Sequence, residues 1–124
     1  LWEDIRDVRA FADRPGAVWR LSLRPSSAPG VVAKIAQTRE IETLFDWGGG
    51  LVWLLTQEDG DAGAAAIRAA VAGQGHATLV RASVATRAHI PPFEPEKPAL
   101  AALSTGLRGK FDPRGILNRG RMGA

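Results

Sequence analysis

Side chains that commonly carry out enzymatic chemistry are scarce in this sequence. It contains no Cys, which excludes an Fe–S cluster, a thiolate zinc site and a cysteine nucleophile from this chain. Its two histidines, His76 and His89, stand 13 positions apart, and a zinc site needs further ligands beside them. Neither a Gly-x-Ser-x-Gly elbow nor a glycine-rich phosphate loop occurs. We therefore predict no catalytic residue and no metal ligand here, and we expect the chain to be inactive alone.

Arginine is the anion-binding side chain that the sequence uses most heavily. The 16 Lys and Arg residues, mostly Arg, exceed the 13 Asp and Glu, which gives a net charge of +3. A guanidinium binds carboxylate or phosphate groups through two parallel hydrogen bonds. The arginines are scattered along the chain, whereas a nucleic-acid footprint needs clustered charge, so we expect no nucleic-acid partner. An Arg-rich composition produced by genomic base bias, with solvated surface arginines, stays open beside a binding role.

The N-terminal residues are apolar at helical spacing from the first position. Leu1, Ile5, Val8 and Ala12 share one face, and residues 13–16, Asp-Arg-Pro-Gly, end the predicted helix. Trp2 is expected in the core. Because the pattern is already under way at Leu1, we interpret residues 1–16 as a helical lead-in from a preceding domain.

The middle of the chain predicts a sheet with two helices. Trp19, Leu21 and Leu23 alternate with polar residues, which is typical of a strand with one buried face, and Trp19 is expected in the core. A short helix through residues 31–36, strands at 40–47 and 51–55 around a glycine turn, a helix within 59–71 and a strand at 76–82 follow. This order predicts an α+β fold of the ferredoxin-like split βαβ type. Both helices would cover one face of an antiparallel sheet, and the other face would be free for a ligand or partner.

The tryptophans beside the glycine turn have two interpretations. Trp47 and Trp53 belong either to the core, or one of them reaches the free face of the sheet.

The last third of the chain lies outside this unit. Residues 91–95 form a proline-rich connector, and a helix from Glu96 carries Leu100, Leu103 and Leu107 on one face. The tail that follows is rich in turn residues and either packs on its own domain or docks on another.

Hydropathy predicts a soluble protein. The longest apolar runs, such as Leu51 to Leu55, are far below the roughly 20 residues of a membrane span, and no signal-peptide pattern opens the chain. We expect a cytoplasmic location.

Residues 110–122, Lys-Phe-Asp-Pro-Arg-Gly-Ile-Leu-Asn-Arg-Gly-Arg-Met, resemble the closing segment of FAD-linked oxidases of the vanillyl-alcohol oxidase / PCMH superfamily. More narrowly, residues 46–54, Asp-Trp-Gly-Gly-Gly-Leu-Val-Trp-Leu, and 75–81, Gly-His-Ala-Thr-Leu-Val-Arg, look like the FAD-binding E subunit of bacterial glycolate oxidases. The resemblance covers residues 17–122. The chain departs from the superfamily tail at Arg119, where Pro is usual.

The resemblance implies a C-terminal cap domain of a flavin oxidase subunit. FAD would be held mainly by a missing N-terminal domain of the same protein, with residues 17–90 as the cap and 91–124 as a helix and tail returning to that domain. Asn118 and Arg121 of the tail would have a docking or cofactor-binding role. Arg20 and Arg81, on the sheet face, would bind the substrate carboxylate.

The resemblance also implies partner subunits, including an Fe–S subunit, and oxidation of glycolate to glyoxylate by the intact enzyme. These partners would hold the protein at the inner face of the membrane. The alternative is a non-catalytic ferredoxin-like binding or assembly module.

Overall fold

A computed structural model describes residues 1–117. The chain divides into two compact units, of which the first spans Leu1–Glu94 and the second begins at Pro95. Asn118 and Arg121 lie outside the described residues. Within residues 1–117, no helix has the length and apolar character needed to cross a membrane.

The first unit is a four-stranded sheet with helices packed on it. Two short helices, α1 (Trp2–Arg6) and α2 (Arg9–Ala12), precede β1 (Ala17–Leu23), α3 (Ala28–Ala36), β2 (Ile41–Asp46), β3 (Leu51–Thr56), α4 (Ala64–Val71), β4 (Gly75–Arg81) and α5 (Val84–His89). The strand order is β2-β3-β1-β4, and each neighbouring pair is antiparallel. The predicted α+β ferredoxin-like fold is confirmed.

The main core lies between the sheet and α3 and α4. Alternation along β1 sends Trp19, Leu21 and Leu23 toward these helices, where they pack with the buried residues of α3 and α4. Trp19 is fully buried, and its indole Nε1 donates a hydrogen bond to the Ala62 carbonyl at 3.0 Å. A buried indole N–H without an acceptor would be destabilising, so this bond makes the aromatic core position tolerable.

The helices differ from the sequence expectation in two respects, the start of α4 and the presence of α5. The segment 59–63 forms turns, and α4 begins at Ala64 because the Asp61 carboxylate accepts hydrogen bonds from the Gly63 and Ala65 amides. Helix α5 was not predicted, since its six residues show no apolar period. It begins at a cap, in which the Ser83 hydroxyl accepts a hydrogen bond from the Thr86 amide at 3.2 Å.

The N-terminal segment, residues 1–16, is not the continuous helix that its spacing predicts. Val8 adopts a left-handed conformation with φ of 48°, which separates α1 from α2. The expectation of a core position for Trp2 is wrong, because its side chain is 73% exposed. The buried side chain of this segment is Phe11.

The second unit contains one described helix, α6 (Pro98–Phe111). Leu100, Leu103 and Leu107 lie in this helix as predicted, and all three are more than half exposed. After the helix, the Asp112 carboxylate accepts hydrogen bonds from the Ile116 and Leu117 amides, at 3.0 and 2.7 Å. The Asp-Pro step of the tail motif therefore forms a tight turn.

Candidate functional site

The sheet face opposite α3 and α4, called the open face below, carries the candidate site. Val18, Arg20 and Ser22 of β1 alternate with the core residues and therefore lie on it. In the strand register, Arg20 is opposite Trp53 of β3 on one side and Thr78 of β4 on the other. A cation thus stands at the centre of the sheet beside an indole ring.

One end of the open face is covered by the N-terminal segment. Phe11 packs on Val18 and Leu55, with Val8 and Trp53 beside them, in a small cluster separate from the main core. The open face, expected to be wholly free, is therefore free only over the part that bears Arg20. This arrangement was not predictable from the sequence, because the break at Val8 that turns Phe11 onto the sheet has no distinctive residue pattern.

Arg81 holds the N-terminal segment against the sheet. Its Nη1 donates to the carbonyl oxygens of Phe11 and Ala12 at 2.6 and 2.7 Å, and its Nη2 donates to that of Arg14 at 2.6 Å. These acceptors lie at the C-terminal end of α2, where a cation is favoured by the helix dipole. The guanidinium is thus largely committed to backbone carbonyls.

An ion pair adds a second attachment of the N-terminal segment. The Arg14 guanidinium donates two hydrogen bonds to the Glu42 carboxylate on β2, one of them from Nη1 to Oε2 at 2.6 Å. The hydrogen bonds from Arg14 hold the pKa of Glu42 below its ordinary value. The pair is exposed, so solvent screens it and its contribution to stability is small.

Arg20 differs from Arg81 in having its charge available. Its side chain is exposed, and within residues 1–117 it forms neither an ion pair nor a side-chain hydrogen bond. A free guanidinium is suited to bidentate contact with a small carboxylate. Two arginines were predicted to bind substrate. Arg20 has no side-chain partner within residues 1–117, whereas Arg81 lies at the end of the open face that the N-terminal segment covers and is bonded to that segment.

A cavity of about 260 Å³ lies between the N-terminal segment and the sheet. Most of its lining is apolar, and it is formed by Val8, Phe11, Ala12, Val18, Trp53 and Val80. At its edge Arg6 and Asp7 pair with each other, with Nε to Oδ1 at 2.7 Å, and Arg81 is held by the carbonyls. The cavity is therefore mostly apolar, with the Arg6–Asp7 ion pair and the positively charged Arg81 guanidinium among its lining residues.

A β-bulge shapes one wall of this cavity. The register between β1 and β4 shifts so that Val18 is opposite Arg81 while Trp19 is opposite Leu79, which leaves Val80 as the extra residue. Val80 is 48% exposed and lines the cavity. A bulge of this kind is not visible in a single sequence, and neither Val80 nor Trp53 was singled out as a binding residue.

The other candidate residues are not gathered into a site. His76 is exposed at the start of β4, and His89 is at the end of α5, where its Nδ1 is 3.0 Å from the Ala85 carbonyl oxygen. Across residues 1–117, no group of three or more His, Asp or Glu is placed to hold a metal ion.

The chain is similar to a subunit of a known oxidase. Over 123 residues, 98% of its length, it is 35% identical to glycolate oxidase subunit GlcE of Escherichia coli strain K12. The resemblance to the E subunit of bacterial glycolate oxidases, predicted from the sequence, is confirmed. The chain spans about 30% of the length of that relative. No protein-family model matches the chain, and no solved structure shows significant similarity to it.

Proposed function

We propose that this chain is the C-terminal cap domain of a FAD-dependent 2-hydroxyacid oxidase subunit, with glycolate oxidised to glyoxylate in the intact multi-subunit enzyme. The observation that carries the proposal is the unengaged Arg20 beside Trp53 on the open face, in a chain similar to GlcE. In this proposal the open face is turned toward the substrate.

Residues 1–117 are suited to contact the substrate of a flavin enzyme, but they do not offer a binding site for the whole FAD cofactor. A dinucleotide diphosphate is usually held by free amides at a helix N-terminus after a glycine-rich turn. At the start of α4, which follows Gly63, the Asp61 carboxylate already accepts from the Gly63 and Ala65 amides. The FAD would therefore be held mainly by the N-terminal domain of the same protein, as in the superfamily that the chain resembles.

Arg20 would bind and orient the substrate. Its guanidinium would hold the carboxylate of the hydroxyacid, and the indole of Trp53 would exclude water from one side of it. FAD, when bound to the remainder of the subunit, would supply the hydride acceptor. Arg81 would act indirectly, since its bonds to the Phe11, Ala12 and Arg14 carbonyls fix the segment that borders the site.

The tail would dock on the flavin-binding domain through Asn118 and Arg121. Other oxidase subunits, including an Fe–S subunit, would complete the electron path. The enzyme would be cytoplasmic and would sit at the inner face of the membrane through those partners.

A kinetic comparison of two arginines tests the proposal. We expect Arg20→Met, in the full-length subunit assembled with its partners, to lower kcat/KM for glycolate roughly 10- to 100-fold, because a hydrogen bond to a charged group contributes about 1.5–3 kcal/mol. Arg24→Met is the matched control, since Arg24 is an exposed arginine just beyond the same strand. An equal and small effect of both substitutions would contradict the role of Arg20.

The second candidate function is a non-catalytic binding or assembly module. It is favoured by the exposed apolar residues of α6, Leu100, Leu103, Leu107 and Phe111, which resemble a contact surface. If this is the main function, Leu103→Glu with Leu107→Glu should abolish co-purification of partner subunits while Arg20→Met leaves glycolate oxidation unchanged.

A further inference from the structure

We infer that His76, on the open face, accepts the proton of the substrate hydroxyl group. This inference rests on the proposed function, because it requires the substrate carboxylate to be held on Arg20. The prediction of no catalytic residue came from the absence of motifs. The position of His76 relative to Arg20 follows instead from the strand register, which no motif encodes.

The strand register places His76 diagonally beside Arg20. On β4, His76 is opposite Ser22 of β1, and Thr78 is opposite Arg20. These four residues share the open face, because directly opposite residues of neighbouring strands point to the same side of the sheet. Diagonal neighbours lie about 7–8 Å apart, within reach of aromatic and long side chains. In a 2-hydroxyacid the carboxylate and the hydroxyl group are attached to the same carbon atom, so one small molecule can contact both side chains.

His76 is a base on the open face whose ring is unengaged. Two carboxylates lie on the same face, but Glu42 is bonded to an arginine, and Asp46 accepts the Trp47 amide at 2.7 Å. The His76 side chain is exposed, and within residues 1–117 it forms neither a hydrogen bond nor an ion pair. A neutral imidazole keeps one ring nitrogen as an acceptor, which is what a general base requires.

The start of β4 is fixed on both sides, which holds His76 in place. Toward β1, a Cβ atom at Gly75 would clash with the Ser22 carbonyl oxygen, so glycine permits the close approach of the two strands. On the outer side, the Ala77 amide donates a hydrogen bond to the Glu94 carboxylate at 3.1 Å. His76 is thus carried by a strand and not by a mobile loop.

His76 and Arg20 would divide the work on the substrate. The O–H bond of the hydroxyacid would break with its proton passing to a ring nitrogen of His76. The C–H bond would break with its hydrogen and electron pair passing to the FAD held by the remainder of the subunit. A C=O bond forms in the product, a 2-oxoacid. The exposed imidazolium would then release its proton to water.

The two histidines of the chain provide a matched pair for kinetics on the full-length subunit assembled with its partners. His76→Gln should lower kcat/KM for glycolate about 100- to 10,000-fold, the usual contribution of a general base. His89→Gln, which changes the exposed histidine at the end of α5, should leave it unchanged. Equal and small effects of both substitutions would overturn the inference.

Acetate binding separates proton transfer from a role in holding the substrate, because acetate has the carboxylate but no hydroxyl group. Its dissociation constant, measured from the change in flavin absorbance, should be unchanged by His76→Gln and should rise about tenfold or more with Arg20→Met. An equal loss of acetate binding in both variants would show that His76 holds the carboxylate and is not the proton acceptor.

Rescue of His76→Ala by added bases tests the proton transfer itself. Imidazole should restore glycolate oxidation in a saturable manner, and the more basic 4-methylimidazole should be at least as effective at the same concentration of free base. The weakly basic 1,2,4-triazole, of nearly the same size as imidazole, should give little rescue. Equal rescue by imidazole and triazole, or none by any of the three, would contradict the role of His76.

The failure of this inference is distinguishable from that of the proposed function. If Arg20→Met impairs glycolate oxidation but His76→Gln behaves like His89→Gln, only the role of His76 is wrong. If Arg20→Met has no effect on glycolate, the proposed function fails first.

Discussion

The two faces of the sheet differ in how completely they are covered, although the same strands build both. On the side of α3 and α4, alternate residues of β1 are fully or almost fully buried in one continuous core. On the open face, Phe11 covers Val18 and Leu55, whereas Arg20, two positions after Val18 on β1, is exposed. The helix-covered face therefore stabilises the fold, whereas the part of the open face around Arg20 is exposed.

The largest expected effect concerns the helix-covered face. Trp19→Ala should lower the free energy of unfolding by about 3–5 kcal/mol, because it leaves a large void and removes the donor to the Ala62 carbonyl. Urea unfolding of this chain measures the change. The control is Trp47→Ala, whose side chain is 78% exposed and whose loss should stay within about 0.5 kcal/mol. Similar losses for both would refute the assignment of the core.

An intermediate effect is expected where the N-terminal segment covers the open face. Phe11→Ala should lower the free energy of unfolding by about 2–3 kcal/mol. This is at or below the low end of the range of about 3–5 kcal/mol for buried Phe residues, because the Phe11 cluster is small and lies near the surface. Hydrogen exchange should show faster opening of residues 9–14 with little change in β1. Uniform loss of protection throughout the sheet would instead make the segment an integral part of the core.

The smallest expected stability effects concern Arg20 and Arg81, which should differ in how much each stabilises the fold. Arg81→Met removes three hydrogen bonds to carbonyls and should cost about 1–2 kcal/mol, since each bond contributes roughly 0.5–1.5 kcal/mol and the site is partly solvated. Arg20→Met should change stability by less than about 0.5 kcal/mol. Thermal or urea unfolding of the two variants measures both values. If Arg20→Met destabilised the chain as much as Arg81→Met, Arg20 would be a structural residue.

The sequence predicted the elements whose signals are local. The alternation around Trp19, the glycine turn after Trp47 and the apolar period of α4 each follow from short-range geometry, and the strand order followed from the sequence of those elements. The pairing of Arg81 with the end of α2 spans about 70 positions of sequence, so no local pattern encodes it. The cavity is similarly a product of tertiary packing, because it requires the turn at Val8 and the bulge at Val80.

The candidate site was therefore predicted in part. Both Arg20 and Arg81 were named as candidate substrate ligands from the family resemblance together with their residue type and their position in strands. Their different environments depend on the N-terminal segment, whose path the apolar spacing of Leu1, Ile5 and Val8 did not predict. The roles of Asn118 and Arg121 stay predictions, because those residues lie outside the described part of the chain.

Chemical rescue of an Arg20 variant tests the central claim most directly. In the full-length subunit assembled with its partners, Arg20→Ala removes the guanidinium and leaves a space beside Trp53. Added guanidinium ion should restore a substantial part of the lost kcat/KM for glycolate in a saturable manner, while an equal concentration of sodium ion should not. Loss of activity without rescue, or equal rescue of Arg24→Ala, would contradict the claim that Arg20 on the open face holds the substrate carboxylate.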